Sequence, residues 1–446
     1  MATRIILVRH GESSYNVERR IQGHCDESAL TEAGRQMAQQ AGLALSGIKF
    51  DAIYSSPLQR ARETAEIIAA TLTHPAPALQ MRDRLKEINL LFWEAMPFED
   101  VKEKFPESYE HWQSAPHQLR MQGTLPDGQV VDFYPVLDLF EQAREFWRGI
   151  LPHHEGQTVL VVAHSGVNRA LISSAIGIQP DRYQAVQQSN CGISVMNFAG
   201  GLGSRVQLES LNLTAHLGAK FPALKPDLQG PRMLLVRHGE TDWNREKRFQ
   251  GWVDVPLNEM GRQQAQQAAE FLRSVTIDRA VSSPMLRPKE TAEIVLSHHP
   301  ALTLELFPDL REISHGLWEG KLESEIESQF SGQLQQWQEA PATVQMPEGE
   351  NLQQVWERAI GCWRDIVASS GQQTVLVVAH DAINKAILCH VLGLSPENFW
   401  NFRQGNGAVS VIDYPKGADG LPVLQSMNIT THLAGGVLDQ TAAGAL

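Results

Sequence analysis

The chain is poor in cysteine and has no long apolar run. Its four cysteines, Cys25, Cys191, Cys362 and Cys389, form no CxxC pair and no evident disulfide framework, which argues against a disulfide scaffold and for a reducing compartment. No stretch of about 18 apolar residues occurs, and the apolar part of the opening MATRIILVRH is too short for a signal peptide; a soluble, cytoplasmic protein without a membrane partner is expected. Basic charge is also scarce. The formal net charge of −13 argues against the basic stripe that general nucleic-acid binding requires. Neither a Walker loop nor a dinucleotide fingerprint occurs, so no nucleotide cofactor is implied. The doublets His153-His154 and His298-His299 lack carboxylate or cysteine partners at ligand spacing and read as solvated loop residues, so no metal is expected.

What the chain does have is a repeat. RHGE closes two strand-like runs, IILVRHGE with Arg9 and His10, and LLVRHGE with Arg237 and His238. Three further motifs follow in the same order. SSPLQRARETAEII and SSPMLRPKETAEIV supply Arg60 and Arg287, LKEI and LREI supply Glu87 and Glu312, and two copies of VLVVAH supply His164 and His380. The paired positions lie 228, 227, 225 and 216 residues apart. A length of 446 residues exceeds what one core usually supports. Two homologous domains are therefore expected at 1–217 and 232–433, joined by a Pro- and Gly-rich linker at 218–231 and followed by a loose tail at 434–446.

The runs Arg4 to Val8 and Thr158 to Ala163, with counterparts Met233 to Val236 and Thr374 to Ala379, are continuously apolar, as strands buried on both faces of a parallel sheet are. Helical patterns open at Thr31 and Asn258 as N-caps. Ser56-Pro57 and Ser283-Pro284 read as an N-cap followed by proline in the first helical position. The fold class is α/β, each half a mostly parallel sheet flanked by helices. In such sheets ligands gather beyond the carboxyl ends of the strands, where His10 and His164 both fall. Arg60 falls in the first turn of its helix, where unpaired N–H groups already favour an anion.

One RHGE alone could be a satisfied polar pair. Two histidines, two arginines and a glutamate repeated in one order require a shared explanation, and phosphoryl transfer supplies it. A neutral imidazole, kept unprotonated by neighbouring arginines, is a nucleophile toward phosphorus. Arginine pairs and a second histidine hold the phosphoryl oxygens. A carboxyl raised by like charge donates the proton to the leaving group.

These residues resemble the histidine phosphatase, or phosphoglycerate mutase-like, superfamily, and the resemblance covers both halves almost end to end. It implies phosphorylated nucleophiles at His10 and His238, phosphate pockets at Arg9, Arg60 and His164 and at Arg237, Arg287 and His380, and proton donors at Glu87 and Glu312. It also implies phosphate contacts at Asn16 and Asn244 and substrate loops at Gln22-Gly23 and Gln250-Gly251. The partner is then a small phosphorylated metabolite, a sugar or carboxylated sugar phosphate, hydrolysed without a cofactor. The tandem arrangement is similar to that of two-domain proteins of photosynthetic organisms, for which a plastid stroma-like compartment is the alternative location. A mutase is the second reading, disfavoured because GKLESEIESQF runs directly into the next helix where cofactor-dependent mutases carry an insertion. A third has one domain bind a phosphorylated ligand without turnover.

The copies differ in fidelity. The C-terminal half keeps EISHGLWEG and PEGEN, whereas the N-terminal half has EINLLFWEA, with Leu91 and Ala95 for Gly316 and Gly320, and LPDGQVVDFYPV for the PEGEN region. From Glu87 to His164 is 77 positions, against 68 from Glu312 to His380. A rebuilt N-terminal lid and a more active C-terminal site are expected. Pro288 stands where Ala61 does, removing one helix donor.

Overall fold

The computed structural model describes residues 2–124 and 129–441. The LPDG segment at 125–128 and the last five residues of the expected tail lie outside the described residues. The chain divides into two compact units, Met1–Ala219 and Lys220–Leu446.

In the N-terminal unit the strands are β1 (Thr3–Arg9), β2 (Ala52–Ser55), β3 (Leu79–Met81), β4 (Met121–Thr124), β5 (Val130–Phe133), β6 (Thr158–Ala163), β7 (Ile193–Phe198) and β8 (Val206–Leu213). The main sheet runs β3-β2-β6-β1-β7-β8. Its first four strands are parallel, and β7 and β8 are antiparallel to their neighbours. The C-terminal unit repeats the plan with β9 (Arg232–Arg237), β10 (Arg279–Ser282), β11 (Leu304–Leu306), β12 (Thr374–Ala379), β13 (Val409–Asp413) and β14 (Val423–Ile429), ordered β11-β10-β12-β9-β13-β14. Ile5 to Val8 and Val159 to Ala163 are each 0% exposed. Since successive side chains point to opposite faces, both faces are covered. Each such aliphatic side chain contributes roughly 1.5–3 kcal/mol by leaving water.

This order creates the site. Arg9 pairs with Ala163 and Arg237 with Ala379, so the residues that follow, His10 with His164 and His238 with His380, leave adjacent parallel strands side by side. From β1 the chain passes β6 to reach β2, and from β6 it passes β1 to reach β7, so the connections after these neighbours run in opposite directions, and ligands gather at such a switch. The glycine of RHGE sets the floor. A Cβ on Gly11 would stand 2.3 Å from the Gly34 carbonyl oxygen, and one on Gly34 would stand 2.0 Å from that of Glu12; Gly239 and Gly261 repeat the relation. The helices Glu32–Leu45 and Glu259–Leu272 thus sit directly against the motif, capped by Thr31 and Asn258, whose side chains accept from Gly34 N and Gly261 N.

Several expectations need correction. Ser56 and Ser283 do not cap: the helices begin at Gln59 and Leu286 behind the extended residues Leu58 and Met285. His154 is not solvated. It is buried, with Nε2 2.8 Å from the Tyr54 hydroxyl and Nδ1 2.6 Å from Gln157 Oε1, because the turn Leu151–His153 swings it inward. The linker is docked where it meets the second unit: Arg232 donates to the carbonyls of Pro222 and Ala223, and Phe221 packs edge-on against Phe271. Nor is the tail loose as far as Thr441. Val437 is buried, Asn428 Nδ2 donates to Gln440 Oε1, and Thr441 Oγ1 donates to the Asn406 carbonyl. No helix among the described residues is long and apolar enough to cross a membrane.

The nine extra residues of the N-terminal lid are accounted for by the antiparallel hairpin of β4 and β5. In the C-terminal unit the PEGEN loop packs on Gly316, where a Cβ would lie 2.0 Å from the Pro347 carbonyl oxygen. The N-terminal unit has the hairpin there instead, and Leu91 Cδ1 lies 3.6 Å from the Cβ position of Gly123. A side chain therefore fits, although Leu91 and Ala95 keep the left-handed φ of 46° and 65° that the glycines adopt easily.

Two glycine substitutions test this reading in opposite directions. Gly239→Ala must displace backbone and should destabilise its unit by about 2 kcal/mol or more. Gly361→Ala, mid-helix with nothing within 4 Å, should stabilise by roughly 0.5–1 kcal/mol. Urea unfolding monitored by tryptophan fluorescence reads both; an unchanged midpoint for Gly239→Ala contradicts the close approach.

Candidate active site

In each unit the motif histidine leaves its strand with its ring buried and Nδ1 2.7 Å from the carbonyl of the next glycine, His10 on Gly11 and His238 on Gly239. A carbonyl only accepts, so Nδ1 carries the hydrogen and Nε2 keeps a free lone pair. The second histidine stands across from it: ring centroids are 5.2 Å apart for both His10–His164 and His238–His380.

Two arginines converge on each pair. Arg9 and Arg237 donate to the carbonyls of Gln188 and Gln404 at 2.8 and 2.6 Å. Arg60 and Arg287, each the second residue of its helix, donate to Gly23 and Gly251 at 2.9 Å. The Nε atoms of all four are buried without a partner, as are Nδ1 of His164 and His380. Donors of this kind, buried and unanswered, cost free energy until an anion occupies the site. The substrate loop is held from both sides. Its carbonyls take the arginine, and its amides donate to a carboxylate, Trp252 N and Val253 N to Glu319, and His24 N to Glu94. These are the glutamates of the WE dipeptides in LWEG and FWEA. Gln250 is buried with Oε1 unpartnered, and Gln22 Oε1 accepts from Ser13 Oγ.

Glu87 and Glu312 reach the same crevice. Glu87 accepts from the amides of Ile88, Gly166 and Val167 at 2.8–3.0 Å, and Glu312 from Ile313 and Ala382 at 3.0 and 3.2 Å. Asn16 and Asn244 turn their amide oxygens into the protein, where Asn190 and Asn406 donate to them at 3.1 and 3.2 Å. The whole expected set is thereby brought together in each half.

Two residue pairs were missed. Ser56 and Ser283 lie 2.8 and 2.9 Å from Nε2 of His164 and His380; the Ser-Pro pattern suggested a cap and concealed that contact. Asn190 and Asn406 also donate to the carbonyls of His10 and His238. They share the offset of 216 that links His164 to His380, and extending the repeat comparison past the second histidine would have found them.

The histidine phosphatase superfamily (branch 1) family model matches residues 5–212 and 233–430. The chain belongs to this superfamily. It is 31% identical to a 2-carboxy-D-arabinitol-1-phosphatase of Triticum aestivum, over 97% of this chain and 87% of the wheat protein. A probable 2-carboxy-D-arabinitol-1-phosphatase of Arabidopsis thaliana is 29% identical over 96% and 88%. Phosphoserine phosphatase 1 of Hydrogenobacter thermophilus is 35% identical, matching 45% of this chain and 94% of its own. The enzyme is a phosphatase, a phosphoric monoester hydrolase of the histidine phosphatase type.

In this histidine phosphatase burial, before charge, keeps the imidazoles neutral. His10, His164, His238 and His380 are all held well below the ordinary 6.5, first by desolvation and then by the neighbouring arginines. Glu312 moves up, chiefly through burial, with Asp381 adding like charge against the pull of Arg287. The two halves of the phosphatase part company here. Asp381, 3.4 Å from Arg237 Nη1 and 2.6 Å from Lys385 Nζ, stands where the N-terminal half has Ser165.

The buried histidines fix how stability depends on pH. Each has a folded-state pKa below its unfolded value, so once pH falls below about 6.5 the unfolded chain binds protons that the folded chain refuses. Stability should be full near pH 7.5 and decline on acidification, by up to roughly 1.4 kcal/mol per pH unit for each of the four. Glu312 and Asp138, with raised values, run the other way, but they are outnumbered by these four together with His216, His315 and His432, which burial also lowers. Urea titrations at about pH 5 and about pH 7.5 check the slope; equal midpoints would show that these imidazoles are not buried neutral.

Proposed function

We propose that the phosphatase hydrolyses small phosphorylated metabolites, carboxylated sugar phosphates foremost, through a phosphohistidine and without a metal. The observation that carries this is the tied Nδ1 of His238, which leaves Nε2 unprotonated among guanidinium groups whose Nε donors await an anion. The substrate class is supported by the 2-carboxy-D-arabinitol-1-phosphatase of Triticum aestivum, which matches the chain almost end to end.

In this reading Arg237, Arg287, Asn244 and His380 hold the phosphoryl oxygens. The Nε2 lone pair of His238 attacks phosphorus as the ester P–O bond breaks, and Glu312, protonated in its buried position, gives its proton to the leaving oxygen. The carboxylate so formed takes a proton from water, whose oxygen attacks phosphorus and breaks the P–N bond, releasing phosphate and the free histidine. Gln250 and Gly251 line the path of the leaving group. His10, Glu87, His164, Arg9, Arg60, Asn16, Gln22 and Gly23 play the same parts in the N-terminal half. Glu87 accepts three backbone amides and has Ser165 beside it in place of an aspartate. Burial and the like charge of Asp381 raise the Glu312 carboxyl, which suits the C-terminal half to proton donation.

Rapid quench with a phosphorylated substrate should leave acid-labile, base-stable phosphate on the protein. His238→Ala should remove most of the label and lower turnover at that site by about a thousandfold or more; unchanged labelling in His238→Ala with none in His10→Ala would assign turnover to the N-terminal half. Activity should persist in excess EDTA, because the arginines and histidine already neutralise the phosphoryl oxygens. Loss in chelator with recovery on adding a divalent ion would refute the metal-free step.

A further inference from the structure

Once the shared set is removed, four of the positions at which the two sites differ form one connected group. Ser165, Gly166, Arg169 and Tyr183 line a cavity of about 260 Å³ in the N-terminal unit, together with Arg9 and Glu87. Their counterparts are Asp381, Ala382, Lys385 and Phe399, each 216 residues on.

The group is coupled sterically. A Cβ on Gly166 would stand 2.3 Å from Glu87 Oε1 and 2.5 Å from the Tyr183 hydroxyl, so the glycine admits both; its counterpart Ala382 goes with Phe399, which lacks the hydroxyl. It is coupled electrostatically as well. Lys385 is 5% exposed, 2.6 Å from Asp381 and within 5 Å of the ring centres of Phe399 and Trp400, at 4.9 and 4.5 Å. That cation is neutralised and enclosed. Arg169 is only positioned. Its Nε donates to the Val186 carbonyl at 2.9 Å, one terminal nitrogen reaches Gln187 Oε1 at 3.3 Å, and the group lies 5.7 Å from the Tyr183 ring centre. Among the described residues it forms no ion pair, and it adds to the positive field on Arg9.

We infer that the N-terminal site holds a second anionic group of its substrate, a carboxylate or a second phosphate, on Arg169 and the Tyr183 hydroxyl, while the C-terminal site makes no such contact. This rests on the phosphate-ester reading above and names the substrate feature that distinguishes the halves. A guanidinium on the wall of a small cavity, near Glu87 but in no ion pair with it, is the arrangement that a charge-assisted hydrogen bond to a ligand relieves. A site built to bond a substrate group also discriminates strongly against an analogue that lacks it.

Calorimetry on the full chain tests this with matched ligands: 6-phosphogluconate against glucose 6-phosphate for a carboxylate, and fructose 1,6-bisphosphate against fructose 6-phosphate for a second phosphate. Arg287→Met removes a cradle arginine from the C-terminal site, so binding then reports the N-terminal one. At least one doubly anionic ligand should bind about tenfold or more tighter than its partner, and adding Arg169→Ala should bring that ratio to within about twofold of unity. The unmodified chain gives the same answer without the cradle change: one tight and one weak site for the preferred ligand, the tight one lost in Arg169→Ala. Equal affinities within both pairs, or a preference that survives Arg169→Ala, would overturn the inference. Phosphate release is scored separately. Preference without release leaves the inference standing and refutes hydrolysis in that half, and release without preference does the reverse.

Discussion

Guanidinium charge buried beside a neutral imidazole is the constraint from which each site follows. Two such cations in a dry crevice would be costly if left to themselves. They are held by carbonyl oxygens, of Gln188 and Gly23 in one half and Gln404 and Gly251 in the other. The loop that lends Arg287 its carbonyl must in turn satisfy its amides, and Glu319 does so. The WE dipeptide thus acts on the phosphate pocket through a loop. A tetrahedral anion completes the set by answering donors that the protein leaves open, which is why binding and charge compensation are one event here.

The halves show how much of the frame can vary while that constraint is kept. Strand order, the glycine contact beneath the motif and the Nδ1 ties are the same in both. The lid is not. Leu91 and Ala95 hold a backbone shape suited to glycine, and the side chain of Leu91 is accommodated because the hairpin of β4 and β5 leaves space that the PEGEN loop fills in the other half.

Much of this was readable from residue order. A duplicated module supplies its own comparison, and the five shared positions stood out because the intervening sequence had drifted. The α/β plan followed from continuous apolar runs separated by capped helical patterns. What escaped were roles set by tertiary contact. Ser56 carries a local capping pattern, yet its hydroxyl meets His164, 108 residues away. His154 resembles any loop histidine until Tyr54 is brought beside it by strand pairing. The segment after Leu433 has a composition that promises little burial, but its hydrogen bonds to Asn406 and Asn428 hold it in place. The cause of the low histidine pKa values was also only half visible: arginine neighbours are written in the motif, while desolvation, the larger cause, is a property of the packed fold.

The contact between Gly166 and Tyr183 constrains history as well as chemistry. A side chain at 166 collides with the tyrosine hydroxyl as well as with Glu87 Oε1, and the half that carries alanine at the matching position, 382, has phenylalanine at 399. Exchange between the two versions therefore cannot proceed in either order. From the N-terminal version the tyrosine must lose its oxygen before the glycine can gain a carbon; from the C-terminal version the alanine must go first. Both routes pass through the glycine–phenylalanine pair, because alanine with tyrosine is the combination that clashes, so two copies that began alike could separate along a single permitted path.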